Sequence, residues 1–212
     1  MIDPLHYISQ GSTAEAQLMH IENACRAGVT WVQLRMKKQP AEVVADVARQ
    51  VRPLCTRYGA RLIINDHPEV ARAVGADGVH LGKEDMPVTE ARKLLGPSLI
   101  IGGTANTNED ILAHVRDGAD YVGLGPFRFT PTKEKLSPIL GLAGYQAIFQ
   151  KLRQEGIATP IVGIGGIGLD DVELLLRTGL HGVAVSGLIT HAAQPANLVR
   201  TIQQYLTQKL PC

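Results

Sequence analysis

Several stretches of the chain hold side chains whose types and spacing could do chemistry. In Gln33-Leu34-Arg35-Met36-Lys37 polar and apolar residues alternate, so an extended backbone turns Gln33, Arg35 and Lys37 to one side. Two cations and an amide facing the same way suit an anion, because arginine binds phosphate oxygens in bidentate fashion and lysine adds a mobile point charge. A solvated strand end is the plainer reading, stronger for Lys37 than for Arg35. Thr130-Pro131-Thr132-Lys133, with Arg128 just before it, adds hydroxyls and more positive charge. Gly165-Gly166 and Ser186-Gly187 place glycines where backbone amides could close on a ligand. Ser186-Gly187 also opens a short helical stretch, so the two pairs read as a phosphate grip built from amides and a helix start. Tight turns alone are the alternative. Three cations beside a separate phosphate site point to two phosphorylated ligands.

Asp66 and Asp85 follow two apolar runs that read as neighbouring parallel strands, which lie ~4.8 Å apart. Two carboxylates at that separation share a cation, act as an acid/base couple, or leave Asp66 in a structural salt bridge to Arg35 or Lys37. All three readings stand on the residues alone. Magnesium suits the first, since it takes few carboxylates and completes its shell with water and phosphate oxygens. His80, between Val79 and Leu81, reads as a barrel-lining histidine satisfied by hydrogen bonds rather than as a base. His67, next to Asp66, falls at the same end of its strand.

These groups need elements to hold them. Short β-branched runs, Tyr7–Ser9, Trp31–Leu34, Leu62–Asn65, Gly78–Leu81, Leu99–Gly102, Tyr121–Leu124, Ile161–Ile164 and Val183–Val185, alternate with amphipathic segments such as Ala14–Ala27 and Ala41–Tyr58. Strand and helix alternating eight times predict an α/β fold with a parallel sheet closed as a (β/α)8 TIM barrel. A repeat supports closure. Gly28, Gly75, Gly118 and Gly179 each stand just before an even-numbered strand, where glycine suits the left-handed cap that ends a helix. In such barrels the chemistry sits on loops after the carboxyl ends of the strands. That rule collects Gln33 to Lys37, Asn65, Asp66, Lys83 to Asp85, Thr104, Asn106, Thr130 to Lys133, Gly166 and Ser186 at one face.

Composition sets the outer limits. With 212 residues and 45% hydrophobic content the chain is expected to form one domain, 1–212, around one sizeable core. The 21 basic and 20 acidic side chains nearly cancel and aromatics are only 4%, which argues against a nucleic-acid partner. No apolar run reaches the ~20 residues of a membrane helix. Met1-Ile2-Asp3-Pro4 lacks the features of a signal peptide. Cys25, Cys55 and Cys212 are an odd number without paired spacing, which reads as reduced thiols in a cytoplasmic protein.

Together the motifs resemble one family. Gln33-Leu34-Arg35-Met36-Lys37, Ile64-Asn65-Asp66, Gly78 to Asp85, Gly125-Pro126 through Lys133, and Ile164-Gly165-Gly166-Ile167 are similar, in that order, to thiamine phosphate synthase. The likeness runs from about residue 5 to 205. It implies a transferase that joins hydroxymethylpyrimidine diphosphate to a thiazole phosphate, carboxylated or not, releasing pyrophosphate. By this resemblance Gln33, Leu34, Arg35, Met36, Lys37, Asn65, Thr104 and Lys133 bind the pyrimidine diphosphate, with Arg35, Lys37 and Lys133 catalytic through the leaving group. Asp66 and Asp85 hold one magnesium ion. Thr130, Pro131, Thr132, Gly166, Val185 and Ser186 bind the thiazole phosphate. The partners implied are these small molecules; a homo-oligomer is compatible with the chain, and no membrane partner is implied. Residues 127–140 are long enough for a lid.

Met36, Lys83 and Thr104 depart from the usual Glu, Gln and Ser of that family. Thr104 keeps the hydroxyl, and alternation turns Met36 away from the mouth, but Lys83 is expected to crowd the metal beside Asp85. Three other readings compete: a related thiazole tautomerase, a sugar-phosphate isomerase or epimerase, and a non-catalytic sensor of a thiamine precursor. Pro126 after Gly125 and the intact Thr-x-Thr-Lys segment favour the synthase over the tautomerase, and the full set of charges argues against the sensor.

Overall fold

The computed structural model describes residues 1–130 and 137–208. Eight strands are present: β1 (Leu5–Ile8), β2 (Trp31–Leu34), β3 (Arg61–Asn65), β4 (Gly78–Leu81), β5 (Ile100–Ala105), β6 (Tyr121–Leu124), β7 (Ile161–Ile164) and β8 (Gly182–Val185). Each pairs in parallel with the next, and β8 returns to β1, closing the barrel. Between and after them run α1 (Ala14–Arg26), α2 (Ala41–Arg57), α3 (Pro68–Ala73), α4 (Val88–Leu95), α5 (Asn108–Arg116), α6 (Gly141–Gln154), α7 (Leu169–Leu176), α8 (Gly187–Thr190) and α9 (Pro195–Thr207). The expected (β/α)8 barrel is the observed fold.

Two strands differ from the periodicity reading by more than one residue. β1 lies two residues earlier at its start, and Ser9 falls outside it while still donating its backbone N–H to Gln33 O at 2.9 Å. β5 runs on through Gly102 and Gly103 to Ala105. The expected strand ends at Gly102, and crowding is what requires glycine at both positions. A Cβ on Gly102 would stand 2.2 Å from the Tyr121 ring, and one on Gly103 would stand 2.6 Å from His114. Thr104 therefore lies within a strand, and its side chain points into the barrel.

The glycine repeat is real but wider than the sequence suggested. Gly28, Gly75, Gly118 and Gly179 all have positive φ, and so do Gly59, Gly96 and Gly156, which precede odd-numbered strands. A second device does keep the two-unit period. Asp77 Oδ2 accepts Leu62 N at 2.7 Å and Arg52 Nη1 at 2.5 Å. Asp120 Oδ2 accepts Ile101 N at 2.8 Å and Arg92 Nη2 at 2.6 Å.

Alternation sorts the side chains into two cores. Leu34, Leu62, Ile64, Val79, Leu81, Ile101, Val122, Leu124 and Val183 face the helices, where each fully buried aliphatic side chain contributes roughly 1.5–3 kcal/mol. Ile8, Trp31, Ile63, Tyr121, Val162 and Ala184 fill the barrel. At its amino-terminal end His6 stacks on Trp31, with ring centroids 4.3 Å apart, and its Nε2–H donates to Asp3 O at 2.7 Å. Cys25 on α1 and Cys55 on α2 are buried as free thiols; Cys212 lies outside the described residues.

Complete burial lowers the His6 imidazole to a pKa of about 3, partly offset by the bond to Asp3. Between pH 6.5 and 3 the unfolded chain therefore binds a proton that the folded chain refuses. His6 costs nothing above pH 6.5 and subtracts up to about 1.4 kcal/mol for each pH unit below it. Urea unfolding from pH 7.5 to 4.5 should show this slope in the wild type. His6→Phe should lose one proton's worth of it.

Candidate active site

At the carboxyl end of the barrel a cavity of about 680 Å³ opens. Its floor is neutral and polar. Gln33 Nε2 donates to Asn65 Oδ1 at 2.6 Å, which leaves Gln33 Oε1 as an acceptor and Asn65 Nδ2 as a donor. Beside them His80 Nδ1 meets the Tyr121 hydroxyl at 2.9 Å, and His80 Nε2 meets Thr104 Oγ1 at 3.0 Å. The expectation of a hydrogen-bonded, barrel-lining histidine describes this geometry.

Charge begins one layer further out. Arg35 and Lys37 continue the inward row of β2 into the cavity wall, whereas Leu34 and Met36 face the helices and take no part in the lining. Any role for Leu34 or Met36 at the site is thus confined to backbone. Arg35 is fixed through its main chain: its N–H donates to Ser9 Oγ at 3.0 Å, and its carbonyl accepts from Gln17 Nε2 at 3.2 Å. Burial lowers the guanidinium pKa, and Asp66 opposes this.

Asp66 has φ of +69°, a left-handed conformation that aspartate tolerates better than most residues. Its N–H donates to His80 O at 2.9 Å, so the turn is tied to β4 as it leaves β3. The carboxylate accepts Lys37 Nζ at 2.5 Å and also lies against Asp85. Burial, then the Asp85 carboxylate, raise its pKa, while Lys37 pulls the other way. The salt-bridge reading and the paired-carboxylate reading of Asp66 thus coexist. Asp85 lies not at the end of a strand but on the turn after β4, where its Oδ2 accepts Gly82 N at 2.6 Å. Lys83 does not crowd it. The ammonium is drawn instead to Asp110, which also accepts Asn106 N at 2.8 Å and Thr107 N at 3.0 Å as it caps α5.

The opposite wall carries glycines. Gly165 and Gly166 have φ of +91° and +68°, and a Cβ on Gly166 would meet Phe129 O at 2.8 Å. Ser186 Oγ donates to Ile8 O at 2.5 Å, and Val185, Ser186 and Gly187 line the cavity where β8 gives way to α8. Thr130 lines it as well. Pro131, Thr132 and Lys133 lie outside the described residues. Arg128 does not add charge to the mouth: it pairs with Asp171 and stacks over Phe127 at 4.7 Å. His67 sits before α3, 3.9 Å from Glu69.

Several supporting residues escaped the sequence reading. Gln10 and His191 line the cavity, and Ser9 and Gln17 hold Arg35. Gln17 left one signal, a polar side chain on the apolar stripe of α1 beside Ile21 and Ala24. Asn106, which the barrel rule places at the mouth, turns out to donate through Nδ2 to Gly125 O at 3.0 Å and to Pro138 O at 2.9 Å, bracketing the loop after β6.

Comparison with known proteins decides the family. The model of a family described as thiamine monophosphate synthase matches residues 5–189. The chain belongs to this family. It is 50% identical to the thiamine-phosphate synthase of Flavobacterium johnsoniae over 206 residues, covering 97% of each chain. Its identity to the Bacteroides thetaiotaomicron thiamine-phosphate synthase is 50% over 197 residues, covering 93% of this chain and 92% of that one. Among solved structures, the thiamine phosphate pyrophosphorylase from Pyrococcus furiosus superposes with a TM-score of 0.81 at 31% identity, covering 95% of this chain and 94% of that one. A 3-hexulose-6-phosphate synthase, at 16% identity, TM-score 0.67 and coverage of 97% and 100%, shares the barrel. All five motifs by which the sequence resembles thiamine phosphate synthase lie within the matched residues of this family.

The wall glycine offers a direct check. Gly166→Ala should cost about 1–3 kcal/mol in chemical unfolding, because the methyl meets backbone on a left-handed residue. It should also weaken inorganic phosphate binding measured by calorimetry.

Proposed function

We propose that this synthase-family chain condenses hydroxymethylpyrimidine diphosphate with a thiazole phosphate, giving thiamine phosphate and pyrophosphate, in the cavity at the carboxyl end of the barrel. The observation that carries this reading is the change in chemistry with depth: a neutral floor of Gln33, Asn65, His80 and Thr104 lies beneath a charged layer of Arg35, Lys37, Asp66 and Asp85. A neutral aminopyrimidine with a diphosphate tail matches that order. The Gln33–Asn65 pair offers one acceptor and one donor, as the amino group and a ring nitrogen require. Gly166 and Ser186, with Thr130 and Val185, support the thiazole phosphate on the other wall.

The reaction starts as the methylene carbon loses pyrophosphate. The pyrimidine amino group feeds electrons into the ring, and the negative charge collects on the departing oxygens. Arg35 meets that charge from a backbone held by Ser9 and Gln17, so little reorganisation is needed. Lys37 exchanges Asp66 for a phosphoryl oxygen, and Lys133 adds a third cation. The thiazole nitrogen then attacks the carbon. No protein nucleophile takes part.

Asp66 and Asp85 fit one magnesium ion. Asp85 lies against Asp66 and helps raise its proton affinity, and no group of three or more His, Cys, Asp or Glu ligands occurs among the described residues. Two carboxylates with phosphate oxygens are a usual magnesium set. When bound, the ion supplies further neutralisation of the leaving group. No helix among the described residues is long and apolar enough to cross a membrane, and the near-neutral composition suits a cytoplasmic enzyme acting on small molecules.

Pyrophosphate release from the pyrimidine diphosphate, measured with each thiazole form and with or without magnesium, tests the reading. Coupled, magnesium-dependent release of thiamine phosphate is expected; absence of release with both forms would overturn it. Asp66→Ala should keep the fold and lower turnover on the order of 100-fold or more, the scale of one lost electrostatic group. Full turnover in that variant removes Asp66 from the mechanism. Lys133→Ala should depress pyrophosphate departure more than thiazole phosphate affinity. A selective loss of thiazole affinity would assign Lys133 to the other half of the site.

A further inference from the structure

We propose that Tyr121, buried deep in the barrel and out of reach of substrate, is a positioning residue that acts through His80 to make the Thr104 hydroxyl a hydrogen-bond donor toward the pyrimidine ring. The inference rests on the reading of the cavity floor given above.

Tyr121 is 1% exposed, and among the described residues its hydroxyl has one hydrogen-bond contact, His80 Nδ1 at 2.9 Å. Burial drives the phenol pKa upward, so the hydroxyl keeps its proton throughout the working range. A buried hydroxyl proton needs an acceptor, and the ring nitrogen is the one at hand. Tyr121 therefore donates and Nδ1 accepts. A neutral imidazole that accepts at Nδ1 carries its proton on Nε2. The Nε2–H then donates across 3.0 Å to Thr104 Oγ1. With that lone pair engaged, the Thr104 proton is left to turn into the cavity that Thr104 lines. In the opposite tautomer Thr104 would spend its proton on Nε2 and show the cavity only a lone pair.

The acceptor it meets is a ring nitrogen rather than a phosphoryl oxygen, because Thr104 belongs to the neutral floor. The barrel is shaped around this chain of three groups. A side chain on Gly102 would occupy the Tyr121 ring, 2.2 Å away, and one on Gly123 would press on His80 Cε1 at 3.1 Å. The T-shaped packing of Tyr121 against Trp31, with ring centroids 5.6 Å apart, fixes the phenol from below.

Two measurements test this. In the wild-type protein, ¹⁵N NMR of histidine-labelled enzyme at pH 8, with His80→Gln to assign the signals, should show His80 as the Nε2–H tautomer. The Nδ1–H tautomer overturns the proposal whatever any variant does. In kinetics, Tyr121→Phe should lower kcat roughly fivefold to tenfold, the weight of one hydrogen bond, with the tautomers now mixed. In a Thr104→Val background the same change should cost no more than about twofold, since the two residues act as one unit. An equal loss in both backgrounds, or none in the wild type, overturns it. Undiminished activity of Thr104→Val alone would instead strike the reading of the floor, and the tautomer result would be untouched by that failure.

Discussion

Closure is the constraint from which the site follows. A parallel sheet of eight short strands has unpaired edges until β8 meets β1, where Leu5 faces Val183 and Tyr7 faces Val185. Once the ring is closed, strict alternation leaves no freedom over which residues point inward. Gln33, Asn65, His80 and Thr104 come from four neighbouring strands, β2 to β5, whose registers place Asn65 opposite His80 and Leu34 opposite Ile64. One layer of the barrel becomes polar because its depth brings it to the mouth. The layer below stays apolar because no water reaches it. His6, neutral and stacked, shows what the lower layer demands of a titratable group.

Above that floor, the acidic groups are held by cations and amides before any substrate enters. Asp66 holds Lys37, Asp110 holds Lys83, and Asp171 holds Arg128. The last two pairs also secure helix starts, so they belong to the scaffold even though their partners stand near the mouth. Lys37 differs, because its partner is the carboxylate whose proton affinity is raised by burial and by Asp85. An ion pair resting on an uncomfortable carboxylate is readily exchanged, which is the property a leaving-group site needs.

Much of this was legible in the residues. The eight strands and the mouth residues followed from periodicity and the barrel rule. That Gln33, Arg35 and Lys37 share one side followed from period two alone. What escaped depended on contacts across the fold. The expected fifth strand stopped at Gly102 because nothing in sequence announces that Tyr121 and His114 will fill the space beside Gly102 and Gly103. Lys83 looked like a neighbour of Asp85 because Asp110 lies twenty-seven residues away along the chain. Gln17 and Asn106 act on backbone carbonyls, which every residue has, so no motif marks their targets. The roles of Tyr121 and Thr104 in one chain of hydrogen bonds likewise need the register of β4 to β6.

The bracket formed by Asn106 has a consequence for how this enzyme type can vary. By binding Gly125 O and Pro138 O together, one buried amide fixes the gap between the two ends of the β6 loop. The cost of closing a loop between fixed ends rises by only about 0.6 kcal/mol for each doubling of its length. The intervening segment can therefore be lengthened, shortened or exchanged without disturbing the barrel, as a cartridge fits a socket.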